Sequence, residues 1–237
     1  MGVMIEISDE SNVRIVTLDR PDRRNALSPE GLESLEDAVL ECPASVLYLR
    51  GAGDAFCAGA DLSTVAEIAE NGAVEPFIRR GQRVANAIEE SSTVVVAGID
   101  GATRGGGVEL ALACDLRVAT PEATFGEPGV TLGIFGAWGG TVRLPEAIGL
   151  GDALDLSLSG RVIDSDEALR IGLVSRVIEE PRSVAESIAE NDSTALGLIK
   201  ERVRDRSDKT VQENAELDAF ETLVETHAEK LQGFGDR

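Results

Sequence analysis

The sequence is poor in the residues that build metal centres and covalent staples. Its 237 residues include one histidine, His227, and three cysteines with no C-x-x-C spacing. That rules out a histidine-rich metal site and argues against a disulfide scaffold or a structural zinc, so no metal is expected. Lysine is nearly absent: only Lys200, Lys209 and Lys230 occur. Lys and Arg together number 22 against 43 Asp and Glu, a net charge of -21. Binding to a phosphate backbone needs basic residues over the phosphates, so neither nucleic acid nor an anionic membrane is expected as a partner. The acids are spread along the whole chain, as on a surface whose self-repulsion is screened by concentrated salt. An ordinary acidic enzyme is the alternative. No run reaches the roughly 18 apolar residues of a membrane helix. Residues 1–10 lack a basic stretch followed by an apolar one, so a cytoplasmic location is expected.

What is present is a globular composition, 43% apolar and 27% charged, long enough for one domain whose core needs no staples. Val13–Leu18 is short and β-branched and reads as a strand. Ser28-Pro29 is an N-cap followed by proline at the first helical position, and Leu32, Leu35 and Val39 continue at helical spacing. Residues 45–49 form a second strand, and 77–90 an amphipathic helix. Val94–Ile99 is apolar throughout, the pattern of a strand buried on both faces. A glycine loop follows, then a short helix over 108–114 and short strands at 116–119 and 123–125. Asp164 with Glu167 has the form of a capping box. A strand is predicted at 174–178 and helix over 183–231, broken near Ser207-Asp208. Alternating strands and helices predict an α/β core over residues 1–182, followed by a helical region over 183–237.

Four stretches suggest chemistry. Gly105-Gly106-Gly107 lies between a buried strand and a helix start, where a backbone can approach a ligand and free N–H groups face it. It matches neither the phosphate loop nor the dinucleotide fingerprint, and a tight turn or an oxyanion site fits it equally. Glu109 sits in Val108-Glu109-Leu110-Ala111-Leu112-Ala113, a helix apolar on every side and hence buried. A buried carboxylate without a wet face points to function more than to the helix dipole. Phe56-Cys57-Ala58-Gly59-Ala60-Asp61-Leu62 surrounds a glycine with small residues, and Cys57 has no histidine nearby to activate it. Phe135 and Trp138 either wall an apolar acyl pocket or belong to the ordinary core. Arg20, Arg23 and Arg24 share one loop and suit either a polyanionic ligand or surface pairing with Asp19 and Asp22.

Taken in order, these motifs resemble the crotonase (enoyl-CoA hydratase/isomerase) family. The resemblance rests on Arg20-Pro21 with Asn25-Ala26-Leu27, on Ala58-Gly59-Ala60-Asp61, and on Gly105-Gly106-Gly107-Val108-Glu109-Leu110-Ala111. Cys114-Asp115-Leu116-Arg117 and Trp138-Gly139-Gly140-Thr141 with Arg143-Leu144 continue it, and Gly160-Arg161 and Gly172-Leu173-Val174 extend it. It implies a spiral of βαβ units, C-terminal helices that build a homotrimer or a dimer of trimers, and an acyl-CoA substrate with no cofactor beyond that coenzyme A. Ala60 and Gly106 match the positions whose N–H groups form the oxyanion hole. Arg23, Arg24, Ala26, Ala58, Asp61 and Leu62 lie where the family holds coenzyme A. Glu109 matches the first of two hydratase glutamates.

The second glutamate is missing. Its position, after the proline of a motif like F-G-x-P-E, is Gly129 here, and the usual proline of the next loop is replaced by Gly136. Glu127 is the nearby carboxylate, and two residues apart in a strand share a face. The resemblance implies hydration of a 2-enoyl-CoA with Glu109 as acid/base. It also admits an isomerase, decarboxylase or thioester hydrolase working with one carboxylate, or a non-catalytic coenzyme A-binding subunit. A serine hydrolase would have to use His227. A glutamate placed at 129 is expected to raise hydration.

Overall fold

A chain that alternates short β-branched runs with glycine turns lays its strands in two layers. The computed structural model describes residues 4–235. β1 (Ile5–Glu10) and β2 (Val13–Leu18) form an antiparallel hairpin, and β2 starts a run of parallel pairs. From there the chain winds as a spiral. β3 (Val46–Gly51), β5 (Val94–Ile99) and β7 (Leu116–Ala119) join one sheet. Each is followed at once by a strand of the other: β4 (Ala55–Cys57), β6 (Ala102–Arg104) and β8 (Thr124–Gly126). β9 (Val162–Asp164) closes the second sheet antiparallel to β8, and β10 (Arg176–Val177) closes the first. The strand orders are β1-β2-β3-β5-β7-β10 and β4-β6-β8-β9.

Helices fill the crossovers. α1 (Pro29–Leu40) links β2 to β3; α2 (Leu62–Asn71) and α3 (Val74–Glu90) link β4 to β5; α4 (Gly106–Ala113) links β6 to β7. This is the expected α/β spiral, each turn placing one strand in each sheet. Every residue of β5 is buried, as its unbroken apolar run requires. All eight residues of α4 are buried as well. α5 (Gly140–Ile148), α6 (Leu150–Ser159) and α7 (Ser165–Ile171) follow. Then come α8 (Arg182–Ala189), α9 (Ser193–Arg204), α10 (Lys209–Thr226) and α11 (Ala228–Gly235). α8 packs on the first sheet through Val184 and Ala185, over Val13, Tyr48 and Val96. No residue of α10 is buried; Val211, Leu217 and Phe220 are exposed. No helix of the described residues is long and apolar enough to cross a membrane.

Three local expectations change. The strand at 174–178 shrinks to Arg176–Val177, because Leu173 and Val174 are buried in the turn that enters it. The C-terminal helix breaks at 190–192, where Asp192 caps α9 by accepting the Ala195 N–H at 2.9 Å, as well as near Asp208 and at His227. The capping box is half made: Asp164 accepts the Glu167 N–H at 2.9 Å, but the Glu167 carboxylate binds Arg161 and Arg170 instead of reaching back.

Candidate active site

Two backbone crossings put the glycine loops side by side. Gly105 adopts φ +50°, ψ -119°, open only to glycine, and starts α4. The N–H of Gly106 lies in the first turn of α4, beyond reach of any intrahelical carbonyl. Gly59, at φ +84°, leaves no room for a Cβ, which would lie 2.7 Å from the Gly106 nitrogen. Leu27 donates its N–H to the Gly59 carbonyl (2.8 Å) and accepts that of Asp61 (3.0 Å). The Ala60 N–H between them therefore turns to the opposite side. Ala58, Ala60, Gly106, Glu109 and Glu127 all line one cavity of about 530 Å³.

Glu109 is 2% exposed. Its Oε1 accepts the backbone N–H groups of Trp138 (2.8 Å) and Gly140 (2.7 Å), at the start of α5. Burial raises its carboxyl above the usual range, against the pull of those two N–H groups and of Arg143. A Cβ at Gly136 or Gly140 would come within 2.7–2.8 Å of that carboxylate. Glycine at both positions leaves the Glu109 carboxylate its room. Glu127 is also buried, and its Oε1 has no hydrogen-bond partner. Burial first, and then the charge of Glu109, push its carboxyl up to about 8. The structure brings these two carboxyl groups into one cavity.

Gly129 lies in the 3-10 turn Pro128–Leu132. A Cβ there would stand 2.9 Å from the Ile134 carbonyl oxygen and 3.0 Å from the Phe135 Cα. Any side chain must displace backbone, so the expected gain from a glutamate at 129 is replaced by an expected loss of stability. Phe135 is 70% exposed at the cavity edge. Trp138 is buried in the wall, edge-on to Phe77 with ring centroids 5.8 Å apart.

The arginine loop divides. Arg20 pairs with Asp61 at 2.9 Å, while the other Asp61 oxygen caps α2 through the Ser63 N–H and hydroxyl. The Asp61 carboxylate is therefore fully engaged within the protein. Arg23 and Arg24 are exposed and make no ion pair among the described residues. Buried Asn25 fixes their loop by donating to the Ala52 and Ala55 carbonyls and accepting the Arg20 N–H. Ala26 is buried beside it, and the Ala58 N–H donates to the Arg24 carbonyl. Leu62 is exposed on α2 and lines the cavity with half-buried Val65 and Ile68, which sequence reading passed over. Their spacing of three behind an Asp61 cap was the available signal.

The profile of the enoyl-CoA hydratase/isomerase family matches residues 8–235. The chain belongs to the enoyl-CoA hydratase/isomerase family. A crotonyl-CoA hydratase of Syntrophomonas wolfei is 35% identical, over 95% of this chain and 92% of the relative. A short-chain-enoyl-CoA hydratase of Clostridium acetobutylicum is 37% identical, over 83% and 79%. The crystal structure of an enoyl-CoA hydratase from Bacillus anthracis superposes with a TM-score of 0.91 at 34% identity, covering 99% of this chain and 96% of that one. Membership accounts for the spiral and for the glycine loops at its centre; the carboxyl pair Glu109–Glu127 is read from this chain's own geometry.

Proposed function

We propose that the protein adds water across the double bond of a 2-enoyl-CoA thioester. The observation that carries this reading is the pair of buried carboxyl groups in one apolar cavity, one held by two N–H groups and the other unpartnered. The thioester oxygen accepts the Ala60 and Gly106 N–H groups, which stabilise the charge that develops there. Ionised Glu109 takes a proton from water as its oxygen bonds to the β-carbon, and the π electrons move onto the thioester oxygen. Glu127, protonated at neutral pH, gives its proton to the α-carbon as the enolate collapses. The two carboxyls then exchange one proton through solvent, which restores the starting state. Gly129 leaves the second acid's place vacant, and Glu127 fills the role from two residues upstream.

Arg23 and Arg24 offer guanidinium groups for the coenzyme A phosphates, with Ala26, Ala58, Asp61 and Leu62 as the backbone and wall along the pantetheine arm. Phe135 and Trp138 bound the acyl end. The exposed apolar residues of α10 supply subunit contacts for a homotrimer or dimer of trimers, and the acidic surface suits a salt-rich cytoplasm. The test is steady-state hydration of crotonyl-CoA by loss of the enoyl thioester absorbance. Glu109→Gln and Glu127→Gln are each expected to lose roughly 10²- to 10⁴-fold in kcat. Coenzyme A affinity should be nearly unchanged. Full activity in Glu109→Gln would end the acid–base reading. Full activity in Glu127→Gln alone would leave Glu109 as the sole carboxyl and favour a one-carboxylate reaction.

A further inference from the structure

Two sequence motifs are not used by the cavity: Cys114-Asp115 after α4, and Arg143 in α5. Neither Asp115 nor Arg143 lines the cavity, yet both are held in one chain of ion pairs. It begins on α9. Lys200, one of three lysines and the buried one, binds Asp115 Oδ2 at 2.8 Å and donates to the Ile88 and Thr93 carbonyls. Arg204, one turn on, binds Asp115 Oδ1 through Nε at 2.8 Å, the Ala113 carbonyl at 2.9 Å, and Glu89 Oε1 at 3.0 Å. Glu89, near the end of α3, receives Arg143 on its other oxygen at 2.6–2.7 Å. Arg143 then donates to the Trp138 carbonyl at 3.3 Å and to Asn86.

Both ends of this chain reach the support of Glu109. Ala113 is the last residue of α4, one turn beyond Glu109, and a cation at a helix C-terminus is favoured by the exposed carbonyls. Trp138 and Gly140 are the residues whose N–H groups bind the Glu109 carboxylate. Gly139 between them adopts φ +109°, and any Cβ there would overlap the Arg143 guanidinium. The turn is thus shaped around Arg143. Arg143 and Asp115 are each 12% exposed, Arg204 26% and Glu89 35%, so screening is weakest at the Asp115 end and partial at Glu89.

We propose that Arg204 and Glu89 are positioning residues that tie α9 both to the helix carrying Glu109 and to the turn that binds its carboxylate. The C-terminal region then aligns the base as well as packing against the sheet. This inference rests on the acid–base reading of Glu109, and its test keeps the two separable. The variants are Arg204→Met, Arg204→Lys, Glu89→Gln and, in the same series, Glu109→Gln. The measurements are kcat and KM for crotonyl-CoA, coenzyme A affinity by calorimetry, and folding by circular dichroism.

Misplacing a catalytic group by about 1 Å costs up to roughly 100-fold in rate, so Arg204→Met and Glu89→Gln are expected to lose about 10- to 100-fold in kcat. KM and coenzyme A affinity should stay within about twofold, since no ligand contact is removed. Arg204→Lys, which keeps a cation between Glu89 and Asp115, should recover part of the loss. If Arg204→Met does not fold, the isosteric Glu89→Gln carries the test. Unchanged kcat in the folded variants beside an inactive Glu109→Gln overturns the positioning role and leaves the acid–base reading intact. A parallel loss of coenzyme A binding makes the chain a scaffold only and also overturns it. An active Glu109→Gln removes the base itself, and this inference with it.

Discussion

Glu109 and Glu127 share a cavity and differ in what their oxygens touch. Two N–H groups and a nearby guanidinium partly offset the burial of Glu109, whereas Glu127 has an oxygen with no partner beside a neighbouring charge. On the proposed mechanism, environment thereby separates a base from an acid of the same residue type. Folding raises the Glu127 carboxyl from 4.5 to about 8, so the folded state favours the protonated form. The stability this gives is complete below pH 4.5 and is lost as pH rises through about 8. Glu127→Gln keeps the neutral shape at every pH. Its unfolding free energy is expected to gain on that of the wild type steadily between those limits and to level off above them, as urea unfolding from about pH 5 to about pH 9 would show. A difference that stays flat with pH would place Glu127 in contact with water.

Trp138 works at the scale of whole elements, because it stands between α3 and α4. A Cβ on Gly81 of α3 or on Gly106 of α4 would overlap its indole ring. Gly81→Ala must therefore push the indole toward Phe77 or out of the wall. Overpacking of this kind costs about 1–3 kcal/mol, measurable by urea unfolding. It should lower kcat as well, since the backbone of Trp138 holds Glu109. A variant as stable and as active as the wild type would show that the wall yields freely. α1 was legible because its apolar residues follow one helical period, and β5 because its unbroken apolar run is buried on both faces, between two core clusters. α2 was not: none of its residues is buried, and its apolar stripe faces the cavity. β4 and β6 are three residues each, too short for any period to show, whereas β8 overlaps the strand expected at 123–125. Glu127 was named from the sequence as a strand neighbour of position 129, but it lies past the end of β8 and is placed by the turn at Pro128; the pairing of Glu89 with Arg143 joins residues 54 positions apart and is not visible in local pattern.

Charge acts on the whole molecule. Most arginines are paired with carboxylates, yet the net charge is -21, so repulsion among unpaired acids opposes folding and would oppose the proposed trimer assembly. That repulsion reaches about 10 Å at 0.1 M salt and roughly 3 Å at 1 M. The unfolding midpoint by circular dichroism, and the share of assembled protein by sedimentation, are expected to rise together across that range. A midpoint indifferent to salt would show that the acidic surface costs the fold nothing. The glycine loops were legible from the residues themselves, the family resemblance supplied the spiral, and composition alone supplied the charge.

The shortage of lysine, histidine and cysteine has one more consequence. An enoyl thioester is an electrophile at both its carbonyl and its β-carbon, and it acylates or alkylates amines, imidazoles and thiols that meet it. No lysine, histidine or cysteine is among the described residues lining the cavity. Cys57, next to Ala58, is buried with its thiol pushed up to about 12, which leaves it unionised. Lys200 faces Asp115 behind α9, while Lys209 and Lys230 lie on α10 and α11. Under the proposed function, an enoyl thioester seated in this cavity meets no amine, imidazole or thiol among the described lining residues, and the protein is spared self-modification by what its pocket omits.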